Sequence, residues 1–182
     1  MMVETEYTPN PDTLKFLPGK KVSDVGPLEF TKKDKDVKIP LVNKILSIEG
    51  TLMVFFGEDF ITVKKEKNLN WEDLKHGIIS EINDFYSKGN NVIIKKDINK
   101  SEVQSSSQSN KIIDKINEIL DTKIRPAVAK DGGDIQLKEY KNGIVKVQLK
   151  GSCSGCPSST MTLKQGVQNL LKHYIPEVKE VE

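Results

Sequence analysis

Ile135-Gln136-Leu137-Lys138-Glu139-Tyr140-Lys141-Asn142-Gly143-Ile144-Val145-Lys146-Val147-Gln148-Leu149-Lys150-Gly151-Ser152-Cys153-Ser154-Gly155-Cys156-Pro157 is the stretch that decides the fold of the C-terminal half. Residues 135–140 and 144–150 read as strands about Asn142-Gly143, the strongest short signal for a type I′ hairpin. Small residues then surround Cys153-x-x-Cys156. Pro157 is expected to open a helix, because its missing N–H would be unpaired there anyway. That helix runs to about residue 174, with Met161, Val167, Leu170, Leu171 and Tyr174 at its apolar positions. A short strand at 178–181 is expected to end the chain.

Upstream of the hairpin, Ile112, Ile113, Ile116, Ile119, Leu120 and Ile124 mark one face of a helix over 110–130. Pro126 should bend or break its last part, and Gly132-Gly133 closes it as a C-cap. The order is therefore helix, hairpin, cysteine loop, helix. Before it lies Ser101-Glu102-Val103-Gln104-Ser105-Ser106-Ser107-Gln108-Ser109, a polar tract with almost nothing to bury. Such composition reads as a flexible linker. We expect an α+β chain of two small domains, 1–95 and 110–182, joined by a tether over 96–109.

In the first half, residues 3–7 and 14–17 read as strands separated by Thr8-Pro9-Asn10-Pro11-Asp12, which is turn chemistry. A short helix over 40–48 carries Leu41, Ile45 and Ile48 on one face and stops at Gly50. Residues 51–56 and 60–64 read as strands joined through Gly57-Glu58-Asp59. Asn70 is the expected N-cap of a helix over 71–88, with Glu72 and Asp73 in the first turn, where negative charge suits the dipole. Trp71, Leu74, Ile78, Ile82 and Phe85 recur at helical spacing, and Gly89 ends the element.

Composition narrows the function. Among 182 residues the net charge is only +2, with 30% charged residues. The lysines are scattered beside Asp and Glu, which argues against a nucleic-acid footprint. No apolar run approaches the roughly 18 residues of a membrane span. Met1-Met2-Val3-Glu4-Thr5-Glu6 has neither a signal core nor the Arg-rich character of a transit peptide, so the cytoplasm is the expected compartment. Two cysteines three positions apart are a poor disulfide framework for this length, and such a pair points to metal or redox work.

The cysteine loop sits between a strand end and a helix N-terminus, where unpaired N–H groups and the positive dipole end favour thiolate at Cys156. Thiolates bind iron or zinc, and small neighbours let backbone N–H groups approach a bulky inorganic group. An iron–sulfur cluster or structural zinc normally takes four protein ligands; this chain holds two thiols. His173 stands roughly 24 Å beyond the loop along a straight helix, and His76 belongs to the other half. The missing ligands are expected from a second copy of the chain, in a two-fold homodimer with four thiolates around one cluster. A site shared in this way suits transfer better than permanent electron transport.

Ile124-Arg125-Pro126-Ala127, Asp131-Gly132-Gly133-Asp134, the run from Leu149 to Ser159, and Thr162-Leu163-Lys164 together resemble the NifU C-terminal domain over about residues 110–182. The first half resembles the N-terminal domain of Nfu-type scaffold proteins, through Thr8-Pro9-Asn10-Pro11, Leu14-Lys15-Phe16, Phe55-Phe56-Gly57 and Asp59-Phe60-Ile61-Thr62-Val63. The resemblance implies a carrier, not an enzyme, that binds a [4Fe–4S] cluster between two subunits and passes it to apo iron–sulfur client proteins. It places the cluster ligands on Cys153 and Cys156, and upstream assembly proteins among the partners. Mitochondrial relatives carry a presequence, so a bacterial protein is the expectation.

Two rival readings use the same cysteines. A thioredoxin-like dithiol–disulfide oxidoreductase also puts Cys-x-x-Cys at a helix N-terminus, but in a βαβ context that an antiparallel hairpin does not supply. A zinc-stabilised interaction module is the other. Asp131-Gly132-Gly133-Asp134 reads as a helix stop before a phosphate or metal loop. Phe55, Phe56, Phe60 and Trp71 read as core before partner surface. Both histidines read as surface residues.

Overall fold

The computed structural model describes residues 2–34, 37–92 and 107–182. The elements of the first half are β1 (Glu4–Tyr7), β2 (Thr13–Leu17), β3 (Leu28–Thr31), α1 (Pro40–Ser47), β4 (Thr51–Phe56), β5 (Ile61–Lys65) and α2 (Trp71–Ser87). Its five strands form an antiparallel sheet in the order β1-β2-β5-β4-β3. Strand β3 was not expected. Its four residues are all half-buried, so no alternation marks them.

Period-two geometry splits the side chains of this sheet between two faces. Leu14, Phe16, Val54, Phe56, Ile61 and Val63 point one way, where Leu41, Ile45, Trp71, Ile78 and Ile82 of α1 and α2 complete a core. Each such large side chain, fully buried, contributes about 1.5–3 kcal/mol. Pro40 opens α1 at its first position, and Asn70 sits at the N-cap of α2 without making a side-chain cap bond. Met53, Phe55 and Phe60 belong to a separate cluster with Leu17 and with Ala129 of the other half. The aromatic group therefore divides: Phe56 and Trp71 fill the core, while Phe55 and Phe60 form a surface that the C-terminal half covers.

The C-terminal half consists of α3 (Ser107–Ile119), a π-turn (Leu120–Ile124), α4 (Arg125–Lys130), β6 (Gly133–Lys141), β7 (Ile144–Gly151), α5 (Pro157–Tyr174) and β8 (Glu180–Val181). Most of the polar tract read as a linker lies outside the described residues, and α3 already begins at Ser107. The break expected at Pro126 falls one turn earlier. Proline offers no N–H to the carbonyl four residues back and crowds it, and here the Arg125 N–H reaches five residues back to Leu120. Thr122 Oγ1 also donates to the Glu118 carbonyl at 2.7 Å, taking up an acceptor in the loosened turn.

Asn142 and Gly143 have φ of +53° and +85°, the pair of positive values a type I′ turn demands. β6 and β7 pair antiparallel from Gly133–Gly151 to Lys141–Ile144, and β8 adds a parallel third strand beside β7. Ile116, Leu120, Val128, Ile135, Val145, Val167 and Leu171 form the core beneath.

Candidate functional site: the cysteine loop

Cys153 and Cys156 lie on the link between β7 and α5, with Cys156 as the N-cap of α5 and a proline in its first turn. They form no disulfide. Gly151 and Gly155 bracket Cys153 with φ of +67° and +74°, conformations costly for any residue with a Cβ. The Ser152 N–H donates to the Gly132 carbonyl at 3.1 Å and the Ser152 hydroxyl to the Asp131 carbonyl. The Ser154 hydroxyl closes on the Gly151 carbonyl at 3.0 Å, and Thr160 Oγ1 reaches the Cys153 carbonyl at 3.3 Å. The serines thus stitch the loop to the turn after α4 and to itself.

Both thiols are buried, although Gly155 between them is exposed. Cys153 is 6% and Cys156 9% exposed, and Cys153 is part of the apolar core of its half. A Cβ added at Gly133 would stand 2.7 Å from the Cys153 sulfur, so glycine there makes room for the thiol. Burial pushes the Cys153 thiol up, against its hydrogen bond with Ser152, and Asp131, Cys156 and Asp134 push the same way. Dipole-assisted thiolate formation, expected on the neighbouring Cys156, does not extend to Cys153. A cation bound there must displace a proton. The thiols also line different cavities of about 670 Å³ each: Cys153 one shared with Pro9, Asn10 and Leu163, Cys156 one shared with Met161 and Lys164.

Asp134, the second residue of β6, is 4% exposed. Burial raises its pKa, opposed by Arg125, whose Nε lies 3.5 Å from its Oδ1. His76 and His173 are both exposed, as expected of surface residues. Among the described residues no group of three or more His, Cys, Asp or Glu side chains is placed to hold a metal.

Sequence reasoning missed the residues of the first half that touch this loop. Asn10 Nδ2 donates to the Ser152 carbonyl at 3.0 Å, Glu29 accepts the Gly151 N–H at 2.7 Å, and Thr62 Oγ1 donates to the Gly132 carbonyl at 2.8 Å. The signal available was the unbroken run Met53-Val54-Phe55-Phe56, since a strand apolar at consecutive positions is buried on both faces.

Fold and site define a two-part α+β protein that seats a cysteine pair against its own N-terminal sheet. Family comparison agrees. Residues 3–89 match the family described as "Scaffold protein Nfu/NifU N terminal", and residues 116–182 match "NifU-like domain". The chain is 44% identical over 183 residues to the human mitochondrial NFU1 iron-sulfur cluster scaffold homolog, covering 100% of this chain and 71% of that protein. To NifU-like protein 4, mitochondrial, of Arabidopsis thaliana it is 43% identical, covering 100% of this chain and 65% of that one. A solved NifU-like protein from Saccharomyces cerevisiae is 25% identical, with a TM-score of 0.48 over 53% of this chain and 87% of that one. The chain belongs to the NifU-like, Nfu-type scaffold protein family.

These relatives correct one expectation. The reading of a bacterial, cytoplasmic protein rested on the character of the first residues, whereas the relatives at 40–44% identity are mitochondrial proteins of plants and animals. The chain spans only 65% and 71% of the first two relatives' lengths, so its opening residues are no guide to compartment. A targeting leader is not part of the folded unit, and the physics of the fold says nothing of it.

Proposed function

We propose that this chain is an iron–sulfur cluster scaffold and carrier, in which Cys153 and Cys156 hold a cluster as cargo and pass it to apo iron–sulfur proteins. One observation carries the reading: a thiol pair on a glycine- and serine-rich loop at a helix N-terminus, in a chain related over its whole length to proteins named as iron–sulfur cluster scaffolds. Two thiols are half the coordination of a cluster, so a second chain completes it, as a [4Fe–4S] group bridging a homodimer. The half built on the hairpin sheet is the cluster-binding domain, and the half over 1–95 contacts clients or upstream assembly proteins. No covalent catalysis is involved.

The dithiol reductase reading fits less well. A reactive thiol of that kind needs a depressed pKa, and burial moves Cys153 the other way. Anaerobic reconstitution with ferrous iron and sulfide tests the proposal. The expected product has broad visible absorption, about two irons per chain, and the mass of a dimer by sedimentation. Reconstitution that leaves the protein colourless, with the thiols cycling to an intramolecular disulfide, overturns it in favour of the reductase. Zinc at one per dimer would point instead to an interaction module.

A further inference from the structure

One cross-strand row of the N-terminal sheet runs Glu6, Lys15, Thr62, Phe55, Glu29 in register across β1, β2, β5, β4 and β3. All five side chains lie on the face turned away from α1 and α2. Along that row Lys15 Nζ approaches the Lys130 carbonyl at 3.5 Å, Thr62 donates to the Gly132 carbonyl, and Glu29 accepts from the Gly151 N–H. Phe55 lies under Gly151, where an added Cβ would meet its ring at 3.1 Å. In the turn that joins β1 to β2, Asn10 donates to the Ser152 carbonyl while its Oδ1 accepts the Asp12 N–H, which fixes its orientation.

The chemistry of this row matches the cysteine loop group for group. The two residues before Cys153 offer one unpaired donor and one carbonyl, and Glu29 and Asn10 supply the acceptor and the donor. Gly132, whose carbonyl also receives the Ser152 N–H, is held by Thr62. Gly151 and Gly132 have no side chains, which permits this approach of backbone to sheet.

We propose that this sheet face is a receptor for the chain's own cysteine loop, and that Asn10, Glu29 and Thr62 clamp the loop in a closed form in which the first half walls the Cys153 side. Undocking, which separates the loop from the sheet, takes Pro9 and Asn10 away from the cavity that Cys153 lines and frees the loop to turn both sulfurs to one common space. The part of this inference that concerns cargo rests on the function proposed above: a cluster shared with a second chain requires the open form.

The test uses the full chain. In the wild-type protein the Gly151 amide, read by NMR hydrogen exchange, is expected to be protected about tenfold or more; exchange at the free rate overturns the clamp. In Asn10→Asp/Glu29→Ala/Thr62→Val, Cys153 alkylation by iodoacetamide should accelerate about tenfold or more. The radius of gyration by small-angle scattering should increase, while protection of the β2–β5 amides stays as in wild type. Unchanged alkylation with an unchanged radius overturns the proposal, and if the triple variant fails to fold, the wild-type Gly151 amide still decides. Reconstitution with ferrous iron and sulfide should be faster in the variant than in wild type. Acceleration of alkylation with no iron uptake by either protein would keep the clamp and overturn the carrier reading; equal uptake rates would overturn the claim that undocking limits loading.

Discussion

The carboxylate of Glu29 accepts the backbone N–H of Gly151 at 2.7 Å, joining β3 to the last residue of β7 across 122 positions of sequence. Bonds from a backbone donor to an ionised carboxylate are among the stronger hydrogen bonds of proteins. This one sits two residues before Cys153. The stability of the two halves and the conformation of the cysteine loop are therefore coupled through a small number of side chains, and substitutions at them should be felt on both sides.

Thr62 is fully buried in mid-strand, and its hydroxyl is the donor to Gly132. Thr62→Val keeps the shape and removes the donor, leaving the Gly132 carbonyl with the Ser152 N–H alone. The expected cost is about 1 kcal/mol, seen as a lower urea midpoint for the full chain. A midpoint equal to wild type would show that the bond adds nothing to the union of the halves.

Gly133 faces the Cys153 sulfur at the start of β6. An alanine Cβ would come within 2.7 Å of Sγ and 2.8 Å of the Lys150 carbonyl oxygen, and the second of these is backbone in the paired strand. Gly133→Ala should cost about 1–3 kcal/mol through overpacking, with exchange of the β6–β7 amides near Gly151 accelerated. Retention of full stability would mean that the hairpin end yields more easily than its pairing suggests.

Cys153 and Cys156 can be told apart by stability even where they act together in function. Cys153 packs in the apolar cluster of the C-terminal half, and Cys156, also buried, lines a cavity beside α5. Cys153→Ser buries a hydroxyl in an apolar site and should lose about 1–3 kcal/mol, whereas Cys156→Ser should lose less. Both should abolish iron uptake. Thermal melts beside iron analysis separate the two effects; a Cys156→Ser protein that loads normally would remove Cys156 from the ligand set.

Tyr86 carries a buried hydroxyl with no hydrogen-bond partner among the described residues, and burial raises its pKa to about 12 from an ordinary 10.0. In the folded state the phenol keeps its proton to higher pH than in the unfolded chain. Its contribution to stability is thus full below pH 10 and is lost as pH rises toward about 12. Wild-type melting temperature should fall across that window more steeply than that of Tyr86→Phe. At neutral pH the phenylalanine variant should be as stable or slightly more so, since it removes an unpaired buried oxygen. Parallel pH profiles for the two proteins would contradict the assignment.

Most elements were legible because each carried a local signature. Asn142-Gly143 announced the hairpin, Pro157 the start of α5, and Trp71, Leu74, Ile78, Ile82 and Phe85 the buried stripe of α2. The thiol pair was visible for the same reason: spacing, small neighbours and the following proline are properties of a few consecutive residues. Strand β3 was not legible, since four half-buried residues hold no period, and the π-turn could not be told from an ordinary kink.

Sequence alone determined that two cysteines three positions apart stand at a strand–helix junction, because local spacing and turn chemistry do not depend on the rest of the chain. Tertiary structure alone decided that those thiols are covered, and by what. Whether a strand's second face meets solvent or another part of the protein is a question of long-range packing. Glu29, Thr62 and Asn10 acquire their meaning only when β6 and β7 are laid across them. Hydrogen bonds spanning 70 to 142 residues leave no periodic trace in either partner.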